Sequence, residues 1–171
     1  TVEWDAEAAE KAGYEHFMIK EIHEQPKAVS DTLNSVVKDG AIDLSEVGLS
    51  EEEIKEISQI YIVACGSAYH VGVAAQYVME DLARIPVRVE LASEFRYRNP
   101  ILDPKGLVII ISQSGETADS LAALRESKKQ GVKTLGIVNV IGSSIAREAD
   151  NVFYTLAGPE IAVATTKAYS T

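Results

Sequence analysis

From Gln59 onward the chain repeats one pattern: an apolar run, a turn built of glycine and hydroxyl residues, then a helix-forming stretch. It appears in IYIVACGSAYH, LVIIISQSGETADSL, TLGIVNVIGSSIARE and VFYTLAGPEIAVATTK. Such alternation demands a parallel sheet with crossover helices, because parallel neighbours cannot be joined by a tight turn. A further strand, 87–91, lies in IPVRVELASEF, with Ser93 placed to cap a short helix. Strands as continuously apolar as 107–111 are expected where helices cover both faces. The fold class is therefore α/β, a five-stranded parallel sheet in a three-layer αβα sandwich.

Residues 1–57 read as a helical lead-in packing on the sheet domain, 58–171. Tyr14, Phe17, Met18 and Ile22 stand at helical spacing, and Pro26 is expected to end that helix and open the next. The second helix carries Ala28, Val29, Leu33, Val36 and Val37 on one stripe, with Asp39-Gly40 as a left-handed C-cap. Ser50 and Glu53 form a capping-box pattern. The helix over 117–130 closes at Gly131, with Leu121, Ala122, Leu124 and Arg125 giving its inward stripe and solvated edge.

Function is expected at the carboxyl ends of the strands, where helix N-termini direct unpaired N–H groups. Ser112-Gln113-Ser114-Gly115-Glu116-Thr117 falls at that edge. The helix dipole and free N–H groups favour an anion, Gly115 lets the backbone approach it, and Ser112, Ser114 and Thr117 add rotatable hydroxyls. Phosphate suits this set better than carboxylate, having more oxygens to satisfy. The plainer alternative is that Ser114 or Thr117 caps the helix while Ser112 ends the strand. Gly66-Ser67 repeats the arrangement more weakly, and Ser143-Ser144 reads as a cap at the same edge.

Other chemistries lose support on the same residues. The dinucleotide and triphosphate glycine loops are absent, and SQSGE is not a nucleophile elbow. A net charge of −10 opposes a nucleic-acid surface, which needs clustered Lys and Arg. No metal or other cofactor is implied, since His16, His23 and His70 lack ligand spacing. The single Cys65 reads as a small packed thiol. Of the carboxylates near strand ends, Glu116 complements a helix dipole, Glu94 can pair with Arg96 or Arg98, and Glu160 remains an acid–base candidate. Lys167 can either counter a phosphate or sit on a solvated helix face. No membrane span or signal segment is evident, which with the lone cysteine fits the cytoplasm. A start at Thr1 and an end inside VATTKAYST suggest a piece of a longer chain.

Taken together, ACGSAYHVG, ELASEFRYR, ISQSGETADSLAAL and EIAVATTKAYST resemble the sugar isomerase (SIS) domain family. Within it they are most similar to the isomerase half of the glutamine–fructose-6-phosphate aminotransferases, the glucosamine-6-phosphate synthases. The resemblance implies a flavodoxin-like SIS fold and the first of two SIS subdomains, partnered in the full enzyme by a glutaminase domain and a second SIS unit. It implies that Ser112, Gln113, Ser114 and Thr117 bind the phosphate of fructose 6-phosphate or glucosamine 6-phosphate. It implies also that Ser67 contacts the sugar phosphate and that Val163 makes a backbone contact to the sugar. Ala68 stands where many relatives carry a second hydroxyl. The family's catalytic groups lie mainly in the second subdomain and C-terminal tail, so the resemblance implies a homodimer that binds sugar phosphate without turning it over. A SIS module that senses sugar phosphates for a regulator is the other reading.

Overall fold

A computed structural model describes residues 10–171; Thr1 lies outside them. The chain divides into two compact units, one of residues up to Asp43 together with Tyr154–Thr171, the other Leu44–Phe153.

In the first unit, a single helix, α1 (Phe17–Val36), runs through Pro26 without interruption. This corrects the expected break. Proline cannot donate to the carbonyl of Ile22, but the Gln25 side-chain amide donates to that oxygen at 3.1 Å and so removes part of the penalty. Asp39-Gly40 is likewise not a helix cap. Both residues have positive φ, 52° and 79°, and they turn a two-residue hairpin, β1 (Val37–Lys38) against β2 (Ala41–Ile42). Paired positive φ values are what a primed hairpin turn requires. The unit closes with a short helix, Lys167–Ser170.

In the second unit, α2 (Glu51–Glu56) begins with the expected capping box: Ser50 Oγ accepts from Glu53 N–H at 3.2 Å and Glu53 accepts from Ser50 N–H at 2.8 Å. Lys133 also donates to Glu53, and these bonds, Lys133 foremost, hold the Glu53 carboxyl down at about 2. Then follow β3 (Gln59–Ala64), α3 (Ser67–Ala83), β4 (Val87–Leu91), α4 (Ala92–Tyr97), β5 (Gly106–Ser112), α5 (Ala118–Lys129), β6 (Lys133–Val138), α6 (Ser144–Glu148) and β7 (Asn151–Tyr154). The five strands lie in the order β4-β3-β5-β6-β7, with parallel pairing of β3 to β4, β3 to β5 and β5 to β6.

Strand alternation sorts the side chains into two cores. Ile60 and Ile62, Val87, Leu107 and Ile109, and Leu135 face one side, where Met79 and Ala75 of α3 and the 44–57 segment cover them. The intervening Tyr61 and Val63, Val108 and Ile110, and Val138 are buried on the other. There α4 contributes Phe95, α5 Ala123 and Leu124, and α6 Ile145, all fully buried. Each buried Val, Leu, Ile or Phe side chain among these contributes about 1.5–3 kcal/mol, so the sheet is the stable platform for its turns.

Two smaller expectations fail. Leu91, not Ser93, occupies the cap position of α4. The inward stripe of α5 is Ser120, Ala123, Leu124 and Ser127, which shares only Leu124 with the expected set, because small polar residues at 120 and 127 are buried in place of Leu121 and Ala122.

Candidate functional site

The strand order reverses between β3 and β5: β4 lies to one side of β3, while β5, β6 and β7 lie to the other. A crevice opens at the carboxyl ends of the strands at such a point, and ligands of doubly wound sheets bind there. The two turns bordering it are Gly66-Ser67 after β3 and Ser112–Thr117 after β5. The structure thus brings five of the six sequence-derived candidates, Ser67, Ser112, Gln113, Ser114 and Thr117, to one edge of the sheet. Val163 belongs to the other unit.

After β3, Gly66 takes φ 56° and ψ −131°, and a Cβ there would meet nothing within 4 Å. Glycine is needed for the backbone conformation, and the surroundings are open. Ser67 is the first residue of α3, exposed, and Gly66 rather than Ser67 is the N-cap. Cys65 is half-buried, and Ser120 Oγ donates to its sulfur at 3.8 Å, linking the end of β3 to the first turn of α5.

The turn after β5 is braced from within. Ser112 Oγ is buried and accepts from Gly115 N–H at 3.1 Å, while Ser112 Oγ and Thr117 Oγ1 share a hydrogen bond of 3.0 Å. Ser114 Oγ accepts from Glu116 N–H at 3.2 Å. One proton of the Ser112–Thr117 pair is consumed between them, which leaves the other, and that of Ser114, for a ligand. Thr117 is the N-cap of α5, yet its side chain makes no cap bond. The first intrahelical bond is Leu121 N–H to Thr117 O at 2.9 Å, so the N–H groups of Ala118, Asp119 and Ser120 precede the helical ladder.

Gly115 serves a purpose the sequence did not disclose. Its φ is 66°, and a Cβ at this position would stand 2.1 Å from Ser143 Oγ and 2.5 Å from Ser143 Cβ. The space is filled by a neighbouring side chain, not kept clear for a ligand. Ser143 is the N-cap of α6, and its buried hydroxyl has no hydrogen-bond partner among the described residues. Three further bonds join the two turns: Asn139 N–H to Gln113 O at 3.1 Å, Ile145 N–H to Gly115 O at 3.0 Å, and Ser144 N–H to Glu116 Oε1 at 2.7 Å. The hydrogen bonds from Ser144 hold the Glu116 carboxyl below its usual range. Glu116 therefore complements the start of α6, not that of its own helix, and is a fixed anion at neutral pH.

The remaining carboxylates and cations have other duties. Glu94 pairs with neither arginine: Arg96 pairs with Asp119 at 2.6 Å, and Arg98 forks onto Glu90. In the first unit, Lys167 is 4% exposed and donates to Glu24 at 2.7 Å, so it lies neither on a solvated face nor free for a phosphate. Glu160 accepts from Thr166 N–H at 2.7 Å and Thr165 Oγ1 at 2.7 Å, capping the last helix. Glu21 is buried, and its Oε1 accepts from Ile161 N–H at 2.6 Å and Ala162 N–H at 3.1 Å, fixing the backbone just before the fully exposed Val163. The histidines are exposed, with His23 stacked on Tyr14.

The SIS domain family model matches residues 53–171. The chain belongs to the SIS domain family. Among known proteins it is 61% identical over 171 residues to the isomerizing glutamine–fructose-6-phosphate aminotransferase of Caldanaerobacter subterraneus subsp. tengcongensis, covering 99% of this chain and 28% of that protein. To the enzyme of the same name from Mycolicibacterium paratuberculosis it is 57% identical over 168 residues, or 98% of this chain and 27% of that one. The chain thus spans little more than a quarter of the relatives' length. Among solved structures, the C-terminal domain of glucosamine-fructose-6-phosphate aminotransferase from Francisella tularensis superposes with a TM-score of 0.89 at 48% identity, covering 94% of this chain and 45% of that one. The sugar isomerase domain of an RpiR transcription factor from Sphaerobacter thermophilus shares the fold, with a TM-score of 0.68 at 20% identity, covering 89% of this chain and 82% of that one.

Proposed function

We propose that this SIS unit holds a sugar phosphate, fructose 6-phosphate or glucosamine 6-phosphate, as part of an isomerising glutamine–fructose-6-phosphate aminotransferase. The full enzyme converts glutamine and fructose 6-phosphate to glutamate and glucosamine 6-phosphate. The observation that carries the reading is the Ser112–Thr117 turn at the strand-order reversal, with two hydroxyl protons and the first N–H groups of α5 uncommitted. A phosphate accepts from several such neutral donors at once, so an acidic chain holds it without a basic patch of its own. Ser67 adds a hydroxyl from across the crevice, Gln113 lines the turn, and Val163 offers its backbone to the sugar.

Residues 58–171 form the SIS domain in this reading and 1–57 its lead-in, whose described residues carry α1, the β1–β2 hairpin and α2. The chain works in the cytoplasm as a homodimer, joined in the full enzyme to a glutaminase domain and a second SIS unit. It binds without isomerising in this reading: Glu116, the carboxylate of the turn, is directed onto Ser144 N–H at the start of α6 and not toward the ligand donors. The identity to aminotransferases favours the enzyme over a sensory module, for which the RpiR domain offers likeness of fold alone.

The test is a titration of isotopically labelled protein with fructose 6-phosphate and, separately, with fructose. Amide shifts centred on Ser112–Thr117 with the phosphate ester only, weakened about a hundredfold or more by Ser114→Ala together with Thr117→Val, are expected on the basis of two lost hydrogen bonds to a charged group at about 1.5–3 kcal/mol each. Shifts elsewhere, or equal response to fructose, contradict the assignment.

A further inference from the structure

The segment ELASEFRYR forms α4, and the sugar-phosphate reading leaves its arginine at position 96 without a role. Ala92 and Phe95 are fully buried, which seats the short helix firmly on the sheet. Arg96 is thereby carried to α5, where its Nη1 donates to Asp119 Oδ1 at 2.6 Å. The two side chains are 32% and 37% exposed. The guanidinium also lies 4.8 Å from the centroid of the Tyr97 ring.

Asp119 stands in the first turn of α5, two residues beyond the Thr117 cap, beside the N–H groups an incoming phosphate would meet. A carboxylate here complements the dipole of the empty helix. It also opposes a dianion, because a full negative charge exceeds the roughly half positive charge of a helix N-terminus. Residues 112–117 contain no lysine or arginine to offset it. The turn and the first turn of α5 carry two acidic side chains, and each is directed onto a partner: Glu116 onto Ser144 N–H and Asp119 onto Arg96.

We propose that Arg96 is a positioning residue for phosphate binding: by pairing with Asp119 it cancels that carboxylate's charge at the α5 N-terminus and makes the neutral-donor turn receptive to a dianion. This rests on reading the 112–117 turn as the phosphate site. Arg96 needs no contact with the ligand; its effect passes through Asp119.

The test uses the 171-residue chain, titrated with fructose 6-phosphate at low and high salt and followed by amide shifts at 112–117. Arg96→Ala is expected to weaken binding about fivefold at low salt, the effect of one charge on a dianion over roughly 8 Å in a water-like dielectric, and the loss should shrink at high salt. Asp119→Asn should bind as tightly as the parent or tighter. Arg96→Ala with Asp119→Asn should return to within about twofold of the parent, which no purely structural role of Arg96 would produce. Arg96→Lys, which keeps the charge, should retain most of the affinity and serves if the alanine variant does not fold. The inference is overturned alone if the parent binds at the turn and Arg96→Ala is unchanged, or if the double variant is as weak as the single one. Absence of parent binding at the turn overturns the sugar-phosphate reading and this inference together.

Discussion

Substituting Gly115 by alanine should be among the most damaging single-methyl additions to the 44–153 unit. Two costs add. The backbone sits at φ 66°, where an L-residue loses about 1–2 kcal/mol. The new methyl would also lie 2.5 Å from Ser143 Cβ, an atom fixed to backbone and 2% exposed, and overpacking of that kind costs about 1–3 kcal/mol. The sum is about 2–5 kcal/mol. Gly131 offers the comparison: its φ is 76° but nothing lies within 4 Å of a Cβ there, so Gly131→Ala should show the backbone cost alone, about 1–2 kcal/mol. Urea unfolding followed by circular dichroism would supply the free energies, with amide exchange at residues 108–111 reporting on this unit. Ser143→Gly in the Gly115→Ala background should recover about 1–3 kcal/mol, since glycine is tolerated at an N-cap. If Gly115→Ala costs no more than Gly131→Ala, or if Ser143→Gly recovers nothing, the steric reasoning is wrong.

Two other outcomes follow from the helices α2 and α1. Glu53, held at about 2 against an ordinary 4.5, binds fewer protons folded than unfolded between those values, so its contribution is full above about 4.5 and is lost as pH falls toward 2; Glu53→Gln should flatten the acid limb of the stability curve in that window. Pro26→Ala restores the N–H missing from α1 and should raise stability by about 1–3 kcal/mol, less the Gln25 bond it displaces, so a fall in the melting temperature would show that the proline is strain-free in place.

Much of the architecture was legible because strand, turn and helix alternate in period as well as in composition. All five strands and the crossover pattern follow from runs such as 107–111, and the Ser50–Glu53 capping box is local enough to read directly. The misreadings share a cause. Pro26 and Asp39-Gly40 were judged by their usual effect on a neighbouring turn, whereas a side-chain amide one residue away and a two-residue hairpin decided their fate. The site divides the same way. That a glycine–hydroxyl turn stands at the strand ends was visible; that Gly115 yields its space to Ser143, that Glu116 serves α6, and that Arg96 chooses Asp119 over Glu94 were not. Those partners lie 23 to 28 residues apart in sequence and meet only because β5 and β6 are neighbours and α4 packs on α5.

The bracing between the turns after β5 and β6 also limits how this scaffold can be re-engineered. A loop that meets its surroundings only at its ends can be lengthened or exchanged by itself. Here Gln113, Gly115 and Glu116 each bond to a residue between Asn139 and Ile145, and the Gly115 backbone is shaped around Ser143. A graft that transplants 112–117 without 139–145 would import a cavity, a clash or an orphaned carboxylate. The transferable unit is the pair, and insertions meant to alter ligand preference belong in the unbraced stretch after β3, where Gly66 faces open space.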